Sequence, residues 1–478
     1  MKVLSNLSSK VLESYSTVDE TSVQEQLEKA VKNDLHKIIV LDDDPTGIQT
    51  IHDISVYTDW SEESICSGFA EKNKIFYILT NSRGFTEKQT IKAHQEIGRT
   101  IAKVAARQHQ PYLVVSRSDS TLRGHYPLET EVLRKEWEKT SGYTGVDGEI
   151  LCPYFKEGGR FTINNIHYVR YGEELVPAGE TEFSKDKTFG YQASDLTEYI
   201  EEKSQGRYKK ESVLTISLEE LRAVQIDAIA DKLLQVKDFN KVVVNAIASC
   251  DVKVFVIALY QAMSKGKCFL FRTAAGFVKE LGAVTDKALL TRQEMSAGSS
   301  KTGGIVIVGS HTQKTTQQVE ALKSLTSIHF IEFNSDLVLE TEKFKAETAS
   351  VLAEEEEALR RGITVVVYTK RKLLSLDNDT KQAALERAVK ISDAVQSLVG
   401  RLSVRPAFVI AKGGITSSDV GTKALKVKRA NVLGQIRPGI PVWQTGKESK
   451  FPGIPYVIFP GNVGEEKTLR EAVEILQG

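Results

Sequence analysis

The chain has 478 residues, more than a single hydrophobic core usually serves, so two domains are expected. Hydrophobic residues make up 41% and charged residues 26%, and lysine plus arginine equals aspartate plus glutamate at 63 each. That balance points to neither nucleic acid nor membrane as a partner, and no run of about 18 apolar residues is present to span a bilayer.

Residues 1–36 are rich in Ser, Glu and Lys and lack the apolar stretch of a secretion signal. Leu27, Val31 and Leu35, each four apart, predict an amphipathic helix within an N-terminal helical extension. The first domain is then expected over 37–294. It opens with KIIVLDDDPTGIQT, in which Ile38 to Leu41 form an apolar run without polar alternation, the pattern of a strand covered on both faces. Asp42, Asp43 and Asp44 follow at once, where ligands collect in open α/β sheets, although Asp-Pro and Thr-Gly are also ordinary turn pairs. Adjacent carboxylates repel one another unless a cation or hydrogen-bond donors compensate.

The same grammar repeats. IFYIL at 75–79 reads as a strand, with Thr86 placed to cap a helix over 87–106; YLVV at 112–115 reads as the next strand. Strands alternating with helices predict a parallel, doubly wound sheet, so Asp43, Asp44, Asn81, Arg83, Arg117, Asp119, Ser120 and Arg123 are expected along one edge. In SRSDSTLRGHYPLE, 116–129, two arginines, Arg117 and Arg123, with interleaved hydroxyls offer forks for a carboxylate or phosphate, and Ser120 or Thr121 is placed to cap a following helix. A helix start with an internal Arg–Asp pair is the plainer alternative. Residues 150–190 read as an antiparallel excursion, with Thr181, Glu182 and Asp186 as polar candidates or simple cover. KVVVNA (241–246) and KCFLFRTAAG (267–276) complete the domain as strands.

MSAGSSKTGG, within a linker at 295–304, separates a second domain, 305–478. Strands are expected at IVIV (305–308), ITVVVYT (363–369), AFVIAK (407–412) and PYVIF (455–459), three of them ending in small residues: Gly309-Ser310, Lys412 to Thr416, and Gly461 to Gly464. Glycines there let backbone N–H groups approach phosphate oxygens, and hydroxyls add donors. The chain contains neither G-x-x-x-x-G-K-[ST] nor G-x-G-x-x-G, which disfavours a P-loop enzyme and an ordinary Rossmann dehydrogenase. Glu354 to Glu357 are expected on the solvated face of a helix. Cys66, Cys152, Cys250 and Cys268 form no C-x-x-C pair, which fits reduced thiols and a cytoplasmic protein, and the few histidines lack zinc-ligand spacing.

Together LDDDPTG, RSDSTLRGHYPLE, CPYFKEGGRFT, AKGGITSSDV and FPGNVG, in this order, resemble the four-carbon acid sugar kinase family. The resemblance runs from about Lys37 to the C-terminus. It implies an α/β protein of two domains, each with a mostly parallel sheet flanked by helices, and an active site in the interdomain cleft. The first domain would bind the sugar acid and the second the nucleotide. The implied reaction is ATP-dependent phosphorylation of 3-oxotetronate, threonate or erythronate on its terminal hydroxyl, with Mg²⁺ as the accompanying ion and its ligands unassigned.

Ser310, Gly413, Gly414, Ile415, Thr416 and Gly461 match the family's ATP-contacting positions, and Lys412 adjoins them. The acidic and arginine blocks match its sugar-acid domain. Asp43 or Asp44 is the expected base, with Asp119 orienting an arginine or the metal, and Asp419 a further carboxylate in reserve. Arg83, Arg117, Ser120 and Arg123 are expected to grip the acid. Ile415 to Asp419 depart from the Glu-Thr-Ser-Gly of many members, which leaves the exact acid open. Partners are small molecules rather than nucleic acid or membrane, and a homodimer is compatible with the sequence. A non-catalytic sensor of sugar acid and nucleotide, or a kinase of another small acid or polyol, are the alternative functions.

Overall fold

The computed structural model describes residues 5–140, 145–295, 301–372, 374, 376 and 379–478, with the side chains of 381, 382 and 385 left aside. Two compact units result: Met1–Gly47 with Asp59–Asp286, and Ile48–Thr58 with Lys287–Gly478. Ile48–Thr58 therefore departs from a division of the chain at a single linker. The reason is pairing: Ile54–Tyr57 runs antiparallel to Arg429–Arg437, from Ile54↔Val432 to Tyr57↔Arg429. The central part of the expected linker, 296–300, lies outside the described residues.

In the first unit the parallel sheet runs, in spatial order, Leu214–Ile216, Asn240–Val244, Gly148–Cys152, Phe269–Thr273, Tyr112–Arg117, Lys37–Asp42 and Ile75–Leu79. Every residue of the acidic strand Lys37–Asp42 is buried, as its unbroken apolar run requires. From this strand the chain goes first to Ile75–Leu79 on one side and then to Tyr112–Arg117 on the other. That reversal is a topological switch point, and it opens a crevice at the carboxyl ends of the acidic and arginine strands. The helix Glu87–Gln108 begins at Thr86 with a full capping box.

The excursion is a small antiparallel sheet of Arg160–Ile163, Ile166–Tyr171 and Glu174–Pro177, with Leu7–Ser8 on its edge. Asn164 and Asn165 make its tight turn at φ 49° and 67°. The N-terminal extension is thus part strand. Its helix, Glu20–Asn33, buries Val23 and Leu27. Leu35, expected on the same stripe, lies beyond the helix and is 76% exposed.

The second unit's sheet runs Ile54–Tyr57, Arg429–Arg437, Ile440–Thr445, Pro455–Phe459, Val409–Lys412, Ile305–Val308, Thr364–Thr369 and Ile328–Phe333. The strands from Pro455–Phe459 onward are parallel to one another, and the others antiparallel. Here the switch point lies between Ile305–Val308 and Val409–Lys412. Among the described residues no helix is long and apolar enough to cross a membrane, and the four cysteines are free thiols.

The glutamate run needs a correction. It lies on the helix Thr341–Arg360, but Glu355 is 0% exposed. Val351, Glu355 and Leu359, each four apart, share the helix's buried stripe. Neither Glu355 carboxyl oxygen has a hydrogen-bond partner among the described residues. Burial, with Glu356 beside it, pushes its pKa from 4.5 to about 9. A carboxyl raised in the fold contributes most below pH 4.5, and its contribution is lost as pH rises toward about 9. Glu355→Met should therefore raise the melting temperature of the second unit, with a gain that grows by up to ~1.4 kcal/mol per pH unit above 4.5. Thermal melts at pH 5 and pH 8 check this; an equal gain at both would mean the carboxyl is not held neutral.

Candidate functional site

The candidate residues gather in two clusters, one at each switch point. In the first unit, extended backbone turns successive side chains to opposite faces, and the three aspartates separate accordingly. Asp42 points into the core, where its Oδ1 accepts from Arg117 Nη1 at 3.2 Å. Burial pushes its pKa up to about 7 despite Arg117, and Asp43 and Asp44 add to the rise. Asp43 accepts both arms of the Arg83 fork, Nη2 at 2.6 Å and Nε at 3.2 Å. Burial raises its pKa too, with Arg83 opposing.

Asp44 is tied differently. Its Oδ1 accepts from Thr46 N at 2.8 Å and Thr46 Oγ1 at 2.6 Å, and its Oδ2 from Arg83 Nη1 at 3.2 Å. Burial acts against its charge, but Arg83 and the Thr46 donors outweigh that and lower the pKa. Gly47 closes over the group; a Cβ there would collide with the Asp42 carboxylate and Arg117.

The arginine block does not start a helix. The next helix is Leu128–Thr140, so neither Ser120 nor Thr121 caps it. Instead 118–127 forms an irregular loop with Leu122 at φ 69° and Gly124 at φ 116°. Asp119 receives Arg123 Nε at 2.7 Å and the Thr121 hydroxyl. Burial disfavours its charge, but Arg83 and Arg123 overcome this and hold its pKa far below the usual range. Ser120 is buried, its carbonyl bonded to His167 Nε2 at 2.8 Å. Asn81 sits at φ 54° just before the short turn that carries Arg83.

Sequence reasoning gave no role to Glu129 and Arg272. Glu129 accepts from Ser82 Oγ at 2.6 Å and Arg272 Nη1 at 3.1 Å, and Arg272 Nη2 donates to the Arg123 carbonyl at 2.9 Å. A charged residue inside the apolar run FLFRT was the available signal for Arg272. Of the excursion's candidates, Thr181 donates to the Ala178 carbonyl at 2.7 Å, and Glu182 accepts from Tyr171. Asp186 Oδ2 lies 3.9 Å from Arg123 Nη1.

In the second unit the three small-residue strand ends do converge. Gly309 N and Ser310 N both donate to the Lys412 carbonyl at 3.2 Å, and Gly413 N donates to the Phe459 carbonyl at 2.9 Å. A Cβ on Gly309 would run into the Thr416 hydroxyl, one on Gly413 would lie 3.2 Å from Ser310 Cβ, and one on Gly461 3.2 Å from Ser310 Oγ. Gly413, at φ 126°, also has a backbone that side chains disfavour.

Thr315 donates to Ser310 Oγ at 3.0 Å, and Thr312 to the Gly461 carbonyl at 3.1 Å. Arg371 Nη2 holds the Ser310 carbonyl at 2.6 Å. Gly414 opens the helix Gly414–Asp419, and its next residue, Ile415, stands 73% exposed. Lys412 is fully buried and donates to the Pro460 carbonyl at 2.6 Å. Burial, with Lys314, lowers its pKa to about 7. It is a strut beneath the glycines rather than a free cation above them. Asp419 is taken by Ser392 Oγ at 2.7 Å and Lys423 at 3.1 Å.

Solved structures share this fold. A Haemophilus influenzae protein from a domain family of unknown function matches with a TM-score of 0.61 at 17% identity, over 92% of this chain and 100% of its own. A Salmonella typhimurium LT2 protein described as a tRNA synthase matches with a TM-score of 0.64, also at 17% identity, over 91% and 98%. At that identity the likeness speaks for the fold alone. No curated protein matches the chain. Family models do: a sugar-binding N-terminal domain over residues 38–281 and a nucleotide-binding C-terminal domain over 305–469. Carrying both domains in this order over most of its length, the chain belongs to the four-carbon acid sugar kinase family.

Proposed function

We propose that the protein transfers the γ-phosphoryl group of ATP to the terminal hydroxyl of a four-carbon sugar acid, with 3-oxotetronate, threonate and erythronate as the candidate acids. The observation that carries this reading is the junction of Gly309, Gly413 and Gly461 around Ser310. These are backbones where a Cβ would fill the space, at the switch point of a nucleotide-binding domain. Such a cradle suits phosphate oxygens, with the Ser310 and Thr416 hydroxyls as donors, while the Gly309, Ser310 and Gly413 N–H groups hold the strand ends together. Ile415 offers an exposed apolar surface beside it.

In the sugar-binding domain, Asp44 is the carboxylate that meets the acceptor hydroxyl, and Arg83 fixes Asp43 and Asp44 relative to each other. Asp119 orients Arg123. Arg117, buried against Asp42, supports the acidic strand end rather than the ligand. Phosphoryl transfer draws mostly on positioning and charge neutralisation, which this set supplies. Among the described residues no three His, Cys, Asp or Glu side chains group as metal ligands. Magnesium under this reading arrives on the nucleotide's phosphates and takes one or two carboxylates at most.

A coupled ADP-release assay across the stereoisomers of erythronate and threonate, together with 3-oxotetronate, tests the proposal. ADP release that depends on one of these acids is the expected result. Binding of acid and ATP without ADP release would mark a sensor, and release with neutral polyols alone would move the protein to another substrate class.

A further inference from the structure

The excursion at 150–190 and the helix Leu196–Lys203 that follows it are built into the arginine loop. His167 is buried, which lowers its pKa to about 4 and keeps the ring neutral. The Ser120 carbonyl, 2.8 Å from Nε2, can only accept, so Nε2 carries the proton and Nδ1 accepts from Thr162 Oγ1 at 3.0 Å. Tyr191 OH donates to the Thr121 carbonyl at 2.7 Å, and Tyr199 OH to the Leu122 carbonyl at 2.8 Å. Three consecutive carbonyls of the loop are therefore gripped by side chains of the excursion and of the stretch that follows it. The excursion also brings a cation of its own, Arg160, at the start of the strand Arg160–Ile163.

Arg160 and Arg123 share one aromatic ring. The guanidinium of Arg123 lies 5.1 Å and that of Arg160 5.6 Å from the centre of Phe183. Their charge balance differs. Arg123 has Asp119 at 2.7 Å and Asp186 at 3.9 Å. Arg160 has no carboxylate within 4.0 Å among the described residues, and its Nε is buried with no acceptor. The neighbouring acids are already engaged: Glu182 accepts from Tyr171, and Asp186 from the N–H groups of Thr188 and Phe189. Burial lowers the pKa of Arg160 and Arg123 presses in the same direction, while Asp119, Tyr171 and Glu182 oppose it from beyond contact distance without reversing the shift.

A guanidinium cannot relieve this by shedding its proton, and a desolvated charge without a counter-ion is costly. Cation–π attraction to Phe183 offsets only part of that cost. An anion from solution would complete the balance, and a carboxylate matches the planar fork in shape as well as charge.

We propose that Arg160 binds the carboxylate of the acid substrate and is the residue that selects a sugar acid over the neutral polyol of the same length. The proposal rests on the sugar-acid reading above and adds the residue that sets its charge specificity. Arg123, already balanced by Asp119, is then the supporting cation rather than the primary clamp.

The test uses the full chain, with erythronate and threonate as acids and erythritol and threitol as neutral partners. Both calorimetric binding and ATP-dependent phosphorylation are measured. Arg160→Met keeps a stem against Phe183 and removes the charge and the donors; Arg160→Lys keeps the charge and loses the fork. In Arg160→Met, affinity for the acid should fall roughly tenfold to 150-fold, the loss expected for a charge-assisted hydrogen bond, with the polyols unchanged. Arg160→Lys should recover part of it. The melting temperature of Arg160→Met should hold or rise, because an uncompensated charge has been removed.

A variant that loses acid and polyol by the same factor, or keeps its acid preference, overturns the proposal, as does a wild-type chain that binds none of these acids. The two readings fail separately. Acid binding that depends on Arg160 without ADP release upholds the clamp and removes the kinase. Acid-dependent ADP release untouched by Arg160→Met upholds the kinase and removes the clamp.

Discussion

Asp44→Asn should lower kcat by ~10²–10⁴, the usual contribution of general acid–base catalysis, while ATP and acid affinities change by no more than a few-fold. The argument starts from how differently the three aspartates are held. Asp44 Oδ1 is fixed by two donors from Thr46, at 2.8 and 2.6 Å, which sets the plane of the carboxylate. Its Oδ2 has a longer contact, 3.2 Å to Arg83 Nη1, and the side chain is 20% exposed. This aspartate therefore offers an oriented, ionised oxygen at the mouth of the crevice. Asparagine preserves size and the Thr46 contacts to an amide oxygen, but it removes the charge and the proton acceptor.

Asp43→Asn should behave otherwise. It breaks the two-pronged grip on Arg83 at 2.6 and 3.2 Å, so lower stability and weaker acid binding should accompany any loss of rate. Steady-state kinetics with calorimetric binding on both variants separates the cases. Near-normal kcat in Asp44→Asn would move the base to Asp43 or Asp119. Asp419 would not be next, since Ser392 and Lys423 already occupy it.

What could be read from the residues in advance was whatever is written along a single element. Ile38–Leu41 and Ile305–Val308 announce buried strands because both faces of a covered parallel sheet must be apolar. Thr86 announces its helix because the capping chemistry is local. The glycine ends after Val308, Lys412 and Phe459 could be named, and their convergence followed from parallel topology. Partner choice was not legible. Arg83 and Arg117 look alike in sequence, yet one reaches the crevice and the other turns inward to Asp42. Arg160 lies in a stretch without clear periodicity, and the sheet that carries it joins the arginine loop through His167, 47 residues from Ser120. Charge alone places Glu355 in solvent, whereas its position on the Val351–Leu359 stripe buries it. The hairpin of Arg429–Arg437 and Ile440–Thr445 was missed because it carries bulges at Val432/Gly434 and Gln435/Arg437 that break the period-two pattern.

Arg117→Met should destabilise the first unit by ~3–5 kcal/mol at pH 8 and above, the cost of leaving one partner of a buried ion pair alone. Arg117 is 5% and Asp42 1% exposed, and their contact of 3.2 Å is backed by Asp43 Oδ1 at 4.0 Å from the same nitrogen. Asp42 already carries a pKa of about 7 against an ordinary 3.8, because burial outweighs the arginine. A raised carboxyl contributes most below its ordinary value, and the contribution is lost as pH climbs to the folded value. Without Arg117 that folded value moves higher still. Below about 7 both proteins therefore hold Asp42 neutral and the deficit is constant. Above it only the variant keeps losing stability, by up to ~1.4 kcal/mol per pH unit. Adding Asp42→Asn removes the stranded charge, so the double variant should recover most of the alkaline deficit. The acid's KM in the folded fraction should stay near the wild-type value, in contrast to the loss expected at Arg160. Urea melts between pH 6 and 9 decide the matter: a deficit that is flat across this range, or no recovery with Asp42→Asn, would mean that Arg117 supports something other than the buried aspartate.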